Sequence, residues 1–338
     1  MGNDFHHVLL GDLPLQQGGV LAQASLAYQT FGELNAAGDN AILLLSVYSN
    51  GHLSFLPLIG EERVLDPNRY FIVLVNMFGN GLSTSPSNSL SQPGRRFPRV
   101  SVADNVHAQF LLLREHLGVQ QLALVGGWAL GAMQAWHWAA AYPDYVKRLM
   151  VICGTARSSP LCRVFLNNMR SALLSDSAFA NGDYLIPPLR GLAAFGRTYA
   201  GWAYSAAFFR DELFRRMGHP SLEALLSAWE RHFQQHDAND LLTLLETWHH
   251  ADLSLDPRLS GEFSDSLMKI TAEAIIMPCD TDNYFTVAEA RIECDLLPHG
   301  EWRPLISPYG HCAGLPGRFE AESEFVERAM KDLLQRKI

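Results

Sequence analysis

The 338-residue chain lacks the features that would direct it to a membrane, a nucleic acid or a metal. Its longest apolar runs, Ala41-Ile42-Leu43-Leu44-Leu45 and Phe71-Ile72-Val73-Leu74-Val75, fall far short of the roughly 20 residues a bilayer span requires. They predict buried strands and no membrane partner. Basic charge is scarce. Lys and Arg number 26 against 35 Asp and Glu, leaving −9, the wrong sign for a phosphate backbone, so no nucleic-acid partner is expected. The five cysteines (Cys153, Cys162, Cys279, Cys294, Cys312) are odd in number and contain no CxxC pair. That pattern predicts reduced, mostly buried thiols in a cytoplasmic protein, not a disulfide framework or a zinc site. The pairs His6-His7 and His249-His250 lack the further ligands a metal needs, and they read as solvated side chains. The opening Met1-Gly2-Asn3-Asp4-Phe5-His6 carries an acid where a signal peptide carries Lys or Arg, and no Ser or Thr where a myristoylation motif has one. No export is predicted.

What is present is a globular composition, 48% hydrophobic and 18% charged, without a repeat, a low-complexity tract or a charge block. From residue 24 to 155, strand-length apolar runs alternate with helical patterns, which predicts an α/β fold: a mostly parallel sheet with helices on both faces. The strand candidates are Ala41 to Val47, Tyr70 to Val75, Gln121 to Val125 and Arg148 to Cys153; helices are predicted over Val102 to Leu117 and Leu130 to Ala141. From about 156 to 261 the strand signal gives way to Leu-, Ala-, Phe- and Trp-rich segments at helical spacing, read as a helical lid inserted into the core. Alternation resumes with strands at Ala274 to Met277 and Trp302 to Ile306 and helices at Val287 to Leu297 and Glu320 to Arg336. The predicted organisation is thus a core of residues 1–155 and 262–338 around a lid of 156–261.

The strongest local signal is Leu122-Ala123-Leu124-Val125-Gly126-Gly127-Trp128-Ala129-Leu130-Gly131-Ala132-Met133-Gln134, an apolar strand running into a helix through a glycine-flanked turn. This is the form of a nucleophile elbow, in which a strained turn lifts the central side chain above the sheet and flanking glycines let the backbones pass closely. Gly127 and Gly131 fit; the central residue, Ala129, carries no attacking atom. In this motif's fold an acid and then a His follow the nucleophile in chain order. Asp282, in Cys279-Asp280-Thr281-Asp282-Asn283-Tyr284-Phe285, and His311, in Tyr309-Gly310-His311-Cys312, each lie just beyond a predicted strand's carboxyl end, where open α/β sheets bind ligands. Asp280 reads as a local turn or supporting carboxylate.

Taken with Phe97-Pro98-Arg99-Val100-Ser101-Val102-Ala103-Asp104-Asn105-Val106, Asn76-Met77-Phe78-Gly79-Asn80-Gly81 and Thr84-Ser85-Pro86, these stretches resemble the homoserine O-acetyltransferase group of the α/β-hydrolase superfamily, over nearly the whole chain. The resemblance implies an α/β-hydrolase fold with a helical lid, Asp282 as triad acid and His311 as general base. It also implies an oxyanion hole from the backbone N–H groups of Tyr48 and Leu130, and substrate contacts from Trp128, Arg197, Tyr204 and the residue after the base, Cys312. It requires no metal or redox cofactor; acetyl-CoA or another acyl-CoA becomes a co-substrate if the reaction is transfer. The partners it implies are a small acyl donor and acceptor, with a homodimer through the lid as in many members.

Two departures bear on the substrate. The group follows its catalytic His with an Asp able to hold an ammonium, whereas Cys312 is neutral; and Arg197 and Tyr204 match the group's carboxylate-binding pair only with a one-residue slip. A less polar acceptor, or water, is therefore expected in place of homoserine. Of Trp202, Tyr204, Phe208, Phe209, Trp229 and Trp248, one or two are expected to face substrate and the rest to pack between helices. Emptying the nucleophile seat of such a triad lowers turnover by something on the order of a millionfold. Ala129 is thus expected to leave this chain inert, as a working Ser (less readily a Cys) replaced by alanine in an acyltransferase or ester hydrolase. The alternative is a natural pseudoenzyme or ligand-binding protein on the same fold.

Overall fold

The computed structural model describes residues 5–49, 51–259 and 261–337; Met1 to Asp4, on which the expectation about export rests, lie outside them. The chain opens with β1 (His6–Pro14) and β2 (Val20–Phe31), an antiparallel pair. Then follow β3 (Ala41–Leu45), β4 (Phe71–Val75), α1 (Val102–Leu111, extended by a wider turn over Leu112–His116), β5 (Leu122–Trp128), α2 (Leu130–Ala141) and β6 (Arg148–Ile152). The inserted segment carries α3 (Pro160–Leu174), a two-residue hairpin of β7 (Phe179–Ala180) and β8 (Asp183–Tyr184), α4 (Leu189–Ala203), α5 (Ala206–Arg210), α6 (Leu222–Phe233) and α7 (Ala238–His249). The core closes with α8 (Phe263–Met268), β9 (Glu273–Met277), α9 (Val287–Asp295), β10 (Gly300–Trp302) and α10 (Glu320–Leu334).

Among the described residues the main sheet has eight strands in the order β1-β2-β4-β3-β5-β6-β9-β10, parallel from β4 to β10. Every residue of β3 and β4 is buried, which is why these strands read as unbroken apolar runs: helices or loops cover both faces. The helix α2 is buried on almost every side, so Trp136 and Trp138 lie on it as readily as Ala135 and Ala139. At α1 a capping box holds the first turn: Ser101 Oγ accepts from the Asp104 N–H (3.1 Å) and Asp104 Oδ2 accepts from the Ser101 N–H (2.8 Å).

Three expectations need correction. The sheet begins with an antiparallel hairpin over residues 6–31, which alternation counted from residue 24 does not reveal because β1 is largely exposed and mixed in polarity. The strand expected at Trp302 to Ile306 is instead Gly300–Trp302; beyond it only Leu305 bridges to Cys279, because Pro304 offers no N–H to the ladder. The inserted segment is helical but for the β7–β8 hairpin. All five cysteines are buried free thiols. No helix of the described residues is long and apolar enough to cross a membrane.

The lid is fastened to the core by polar contacts as well as by apolar packing. On α7, buried Asp240 accepts from the Ser87 N–H (3.0 Å) and from Ser87 Oγ (2.5 Å) in the loop after β4. Where the chain returns to the core, buried Asp256 meets His137 Nε2 of α2 at 2.6 Å and is gripped by Arg258. Burial pushes the Asp240 carboxyl up to about 7, against the lowering effect of the Ser87 bonds. Because the folded state then holds a proton that the unfolded chain releases near its ordinary value, stability falls as pH rises from about 4 to about 7. We expect Asp240→Asn to flatten that part of the urea-midpoint profile, by a few kcal/mol at most between the two pH limits. An unchanged difference between pH 4.5 and 7.5 would contradict this. A Cβ at Gly127 would sit 2.1 Å from the Gly131 carbonyl carbon and 2.5 Å from the Ala132 nitrogen. Gly127→Ala is expected to cost about 3 kcal/mol or more, read as loss of soluble protein or a lowered urea midpoint.

Candidate active site

The elbow is built as its spacing predicts. Ala129 has φ 56° and ψ −124°, a region that costs a non-glycine residue roughly 1–3 kcal/mol. It is held there from several sides. Its N–H donates to the Ile152 carbonyl at the end of β6 (3.0 Å), and its carbonyl accepts from Met133 in the first turn of α2 (3.2 Å). Glycine at 131 lets α2 lie against β3, since a Cβ there would be 2.5 Å from the Leu45 carbonyl oxygen. A Cβ at Gly154 would likewise be 2.9 Å from the Ala129 carbonyl oxygen. The first turn of α2 therefore abuts the carboxyl end of β3, three residues before Tyr48. The Leu130 N–H is one of the helix's N-terminal donors without an intrahelical acceptor.

Asp282 and His311 meet as an acid–imidazole pair, with His311 Nδ1 2.6 Å from Asp282 Oδ2. The other carboxylate oxygen, Oδ1, accepts from the N–H groups of Tyr284 and Phe285, both at 3.1 Å. A carboxylate so placed only accepts, so Nδ1 carries the proton and Nε2 presents a lone pair. His311 is 1% exposed, and its Nε2 is a buried atom with no hydrogen-bond partner. The ring is held by aromatic faces: Trp128 stacks on it at 4.7 Å between centroids, and Tyr284 lies at 4.5 Å on a tilted plane. Trp128 also donates its indole N–H to the His311 carbonyl (3.2 Å), tying the residue before Ala129 to the base. Asp280 does not touch the ring; it accepts from the Ser307 N–H (2.9 Å) and braces the loop leading to His311.

A cavity of about 390 Å³ opens onto this pair, walled by Tyr48, Trp128, Tyr199, Trp229, His232 and Arg318 among others, with His311 and Cys312 at its base. Cys312 is buried, and burial pushes its thiol up to about 12, so it stays a neutral wall. Tyr204 lies beneath that wall, fully buried, its ring stacked on Phe208 at 4.0 Å and its hydroxyl bonded to Arg318 Nη2 (3.1 Å). Of the six aromatics singled out in the lid, Trp229 lines the cavity; Tyr204, Phe208 and Trp248 are core.

Arg197 is not brought to the cavity. On α4 its guanidinium is taken by Glu223 and Glu230 of α6 in a partly exposed ion-pair cluster. The helical spacing that places Tyr199 inward turns residue 197 toward α6. Two residues at the site carry no sequence signal of their own. Cys153, with φ 43°, brings a buried thiol to within 4.8 Å of the Asp282–His311 ligand atoms, and burial raises its pKa well above the ordinary value. Arg318 supplies a cation at the cavity wall from the stretch before α10; it could be found only by knowing which segment folds over Tyr204.

The family model described as alpha/beta hydrolase fold matches residues 50–313. An ethyl acetate hydrolase of Pseudomonas veronii is 36% identical, over 96% of this chain and 93% of that protein. A homoserine O-acetyltransferase of Nostoc punctiforme is 31% identical over 89% of each. The solved structure of the acetyl esterase MekB superposes with a TM-score of 0.95 at 35% identity, covering 99% of this chain and 97% of that one. With the parallel sheet, the elbow after β5 and the inserted helices already in place, the comparison leaves one assignment: this chain belongs to the alpha/beta hydrolase fold family.

Proposed function

We propose that the site is that of a short-chain ester hydrolase working through an acyl-enzyme, whose nucleophile position is filled in this chain by Ala129. The observation that carries the reading is the buried, unpartnered Nε2 of His311, backed by Asp282 and stacked on Trp128, beside an elbow held at a strained φ for a side chain that no longer reacts. Strain of this kind is retained where function uses it.

With a hydroxyl at position 129, its oxygen attacks the ester carbonyl while Nε2 of His311 takes the proton, and Asp282 stabilises the imidazolium. The Leu130 and Tyr48 N–H groups receive the charge that develops on the carbonyl oxygen. The alcohol leaves with the proton from Nε2; a water then gives its proton to the same nitrogen and releases the acid. No metal or redox group enters these steps. In its present form the chain binds the ester and lacks the attacking atom.

Hydrolysis is favoured over transfer to homoserine by the cavity's charge. Among the described residues no carboxylate lines it; Cys312 is a neutral thiol, and the fixed charge they place on the wall is the cation of Arg318, so an ammonium meets repulsion there. The similarity to an ethyl acetate hydrolase and an acetyl esterase, both at higher identity than the acetyltransferase, supports the same choice.

Ala129→Ser is expected to raise turnover of 4-nitrophenyl acetate by about 10⁴-fold or more, with a burst and an acetyl group on residue 129 seen by mass spectrometry. No burst with acetyl, propionyl or butyryl esters would leave the chain a binding protein. Adding Asp282→Asn to the restored enzyme should lower kcat by about 10⁴-fold, because the ring loses its tautomer. With acetyl-CoA as donor, homoserine should not speed loss of the acetyl group from the restored enzyme; an acceleration that saturates with homoserine would establish transfer instead.

A further inference from the structure

Between the lid and the loop carrying Tyr48 stands a contact that the catalytic pair does not use. His236, just past the carboxyl end of α6, has both ring nitrogens on carbonyl oxygens: Nδ1 lies 3.0 Å from the His232 carbonyl and Nε2 lies 3.0 Å from the Ser49 carbonyl. A carbonyl oxygen only accepts, so satisfying both contacts takes a proton on each nitrogen, which is the imidazolium. A neutral ring keeps one bond and turns a lone pair toward the other oxygen.

The oxygen that His236 holds belongs to a strained residue. Ser49 has φ 68°, Gly51 has φ 59°, and Val47 and Gly51 bridge across the turn. Such a turn keeps its shape only where its surroundings over-determine it. Among the described residues the lid contributes two bonds: His236 to the Ser49 carbonyl, and the Tyr48 hydroxyl donating to the Leu241 carbonyl of α7 (3.0 Å). Both hold the segment that carries the Tyr48 N–H.

We propose that His236 is a positioning residue that clamps the lid to the Tyr48–Ser49 turn and so sets the oxyanion donor. The inference rests on the ester-cleaving reading of the site. His232, one turn back on α6, lies 4.9 Å away between ring centroids, and burial, with the charges of His236 and Arg318, lowers its pKa to about 4, so it stays neutral. Phe233 covers another face at 5.6 Å, and Arg318 and His219 line the neighbouring cavity together with His232.

The test uses the Ala129→Ser enzyme with 4-nitrophenyl acetate. His236→Ala is expected to lower kcat about 10-fold with KM within about 2-fold, less than the loss from deleting an oxyanion donor outright. His236→Gln, which keeps a donor for the Ser49 carbonyl and does not titrate, should recover kcat to within about 3-fold. An unchanged kcat in the Ala variant, or a Gln variant as slow as the Ala variant, would overturn the proposal. The Ala129 chain gives an independent reading by nitrogen-15 NMR: the amide signals of Tyr48 and Ser49 should move in the His236→Ala chain and return toward their parent positions in the His236→Gln chain. If they do not, the clamp fails even where the esterase works; if they do while the restored chain cleaves no ester, the clamp stands and the catalytic reading fails.

Discussion

The structure turns on the close approach of three backbones at one point. The end of β5, the first turn of α2 and the end of β3 meet at distances that side chains at 127 and 131 would forbid, and Ala129 is bent there into a conformation that only this crowding maintains. Everything chemical about the site follows from that junction. It aims residue 129 out of the sheet, leaves the Leu130 N–H free at a helix start and sets it near the turn that carries Tyr48. The parallel register of β3, β5, β6 and β9 then brings the Asp282 loop and the β6 end to the same edge.

The His311 ring is held by packing more than by charge. One hydrogen bond to Asp282 fixes its tautomer, but Trp128, Tyr284 and Phe285 fix the plane of the ring, and the loop beneath it is pressed onto the lid. A Cβ at Gly310 would lie 2.8 Å from the Ser205 nitrogen, and Ser205 Oγ donates to the Pro308 carbonyl at 2.5 Å. The lid is therefore more than a cover. Its α4–α5 junction seats the histidine loop, while α6 and α7 reach the turn on the opposite side of the cavity. The lid thus shapes both the His311 side and the Tyr48 side of the cavity.

Burial explains the cavity's quiet walls. Cys312 and His232 line the cavity and Tyr204 lies behind Cys312; desolvation moves all three further toward the neutral form that each favours near pH 7. The cation of Arg318 stands out against them. A zwitterion needs charge of both signs, and the described residues of these walls supply only the cation.

Much of this was legible in residue order, and the boundary is physical. Apolar runs such as Ile72 to Val75 and the spacing of Gly127, Ala129 and Gly131 encode local geometry, because strand burial and a tight turn depend on neighbours in sequence. They specify the parallel core, the elbow and the alanine at its centre. The hairpin of residues 6–31 was not legible, since an exposed edge needs no regular apolar pattern. Nor was the fate of Arg197, whose resemblance-based role gives way to Glu223 and Glu230 because helix packing, not spacing, decides which way a long side chain points. Sequence alone determined the kind of fold and the residue at its reactive turn. Only the tertiary structure decided that Arg318 and not Arg197 reaches the cavity, and that His236 touches the turn beside Tyr48. Each of these joins segments remote in the chain, and such meetings are set by the packing of whole elements rather than by any local preference.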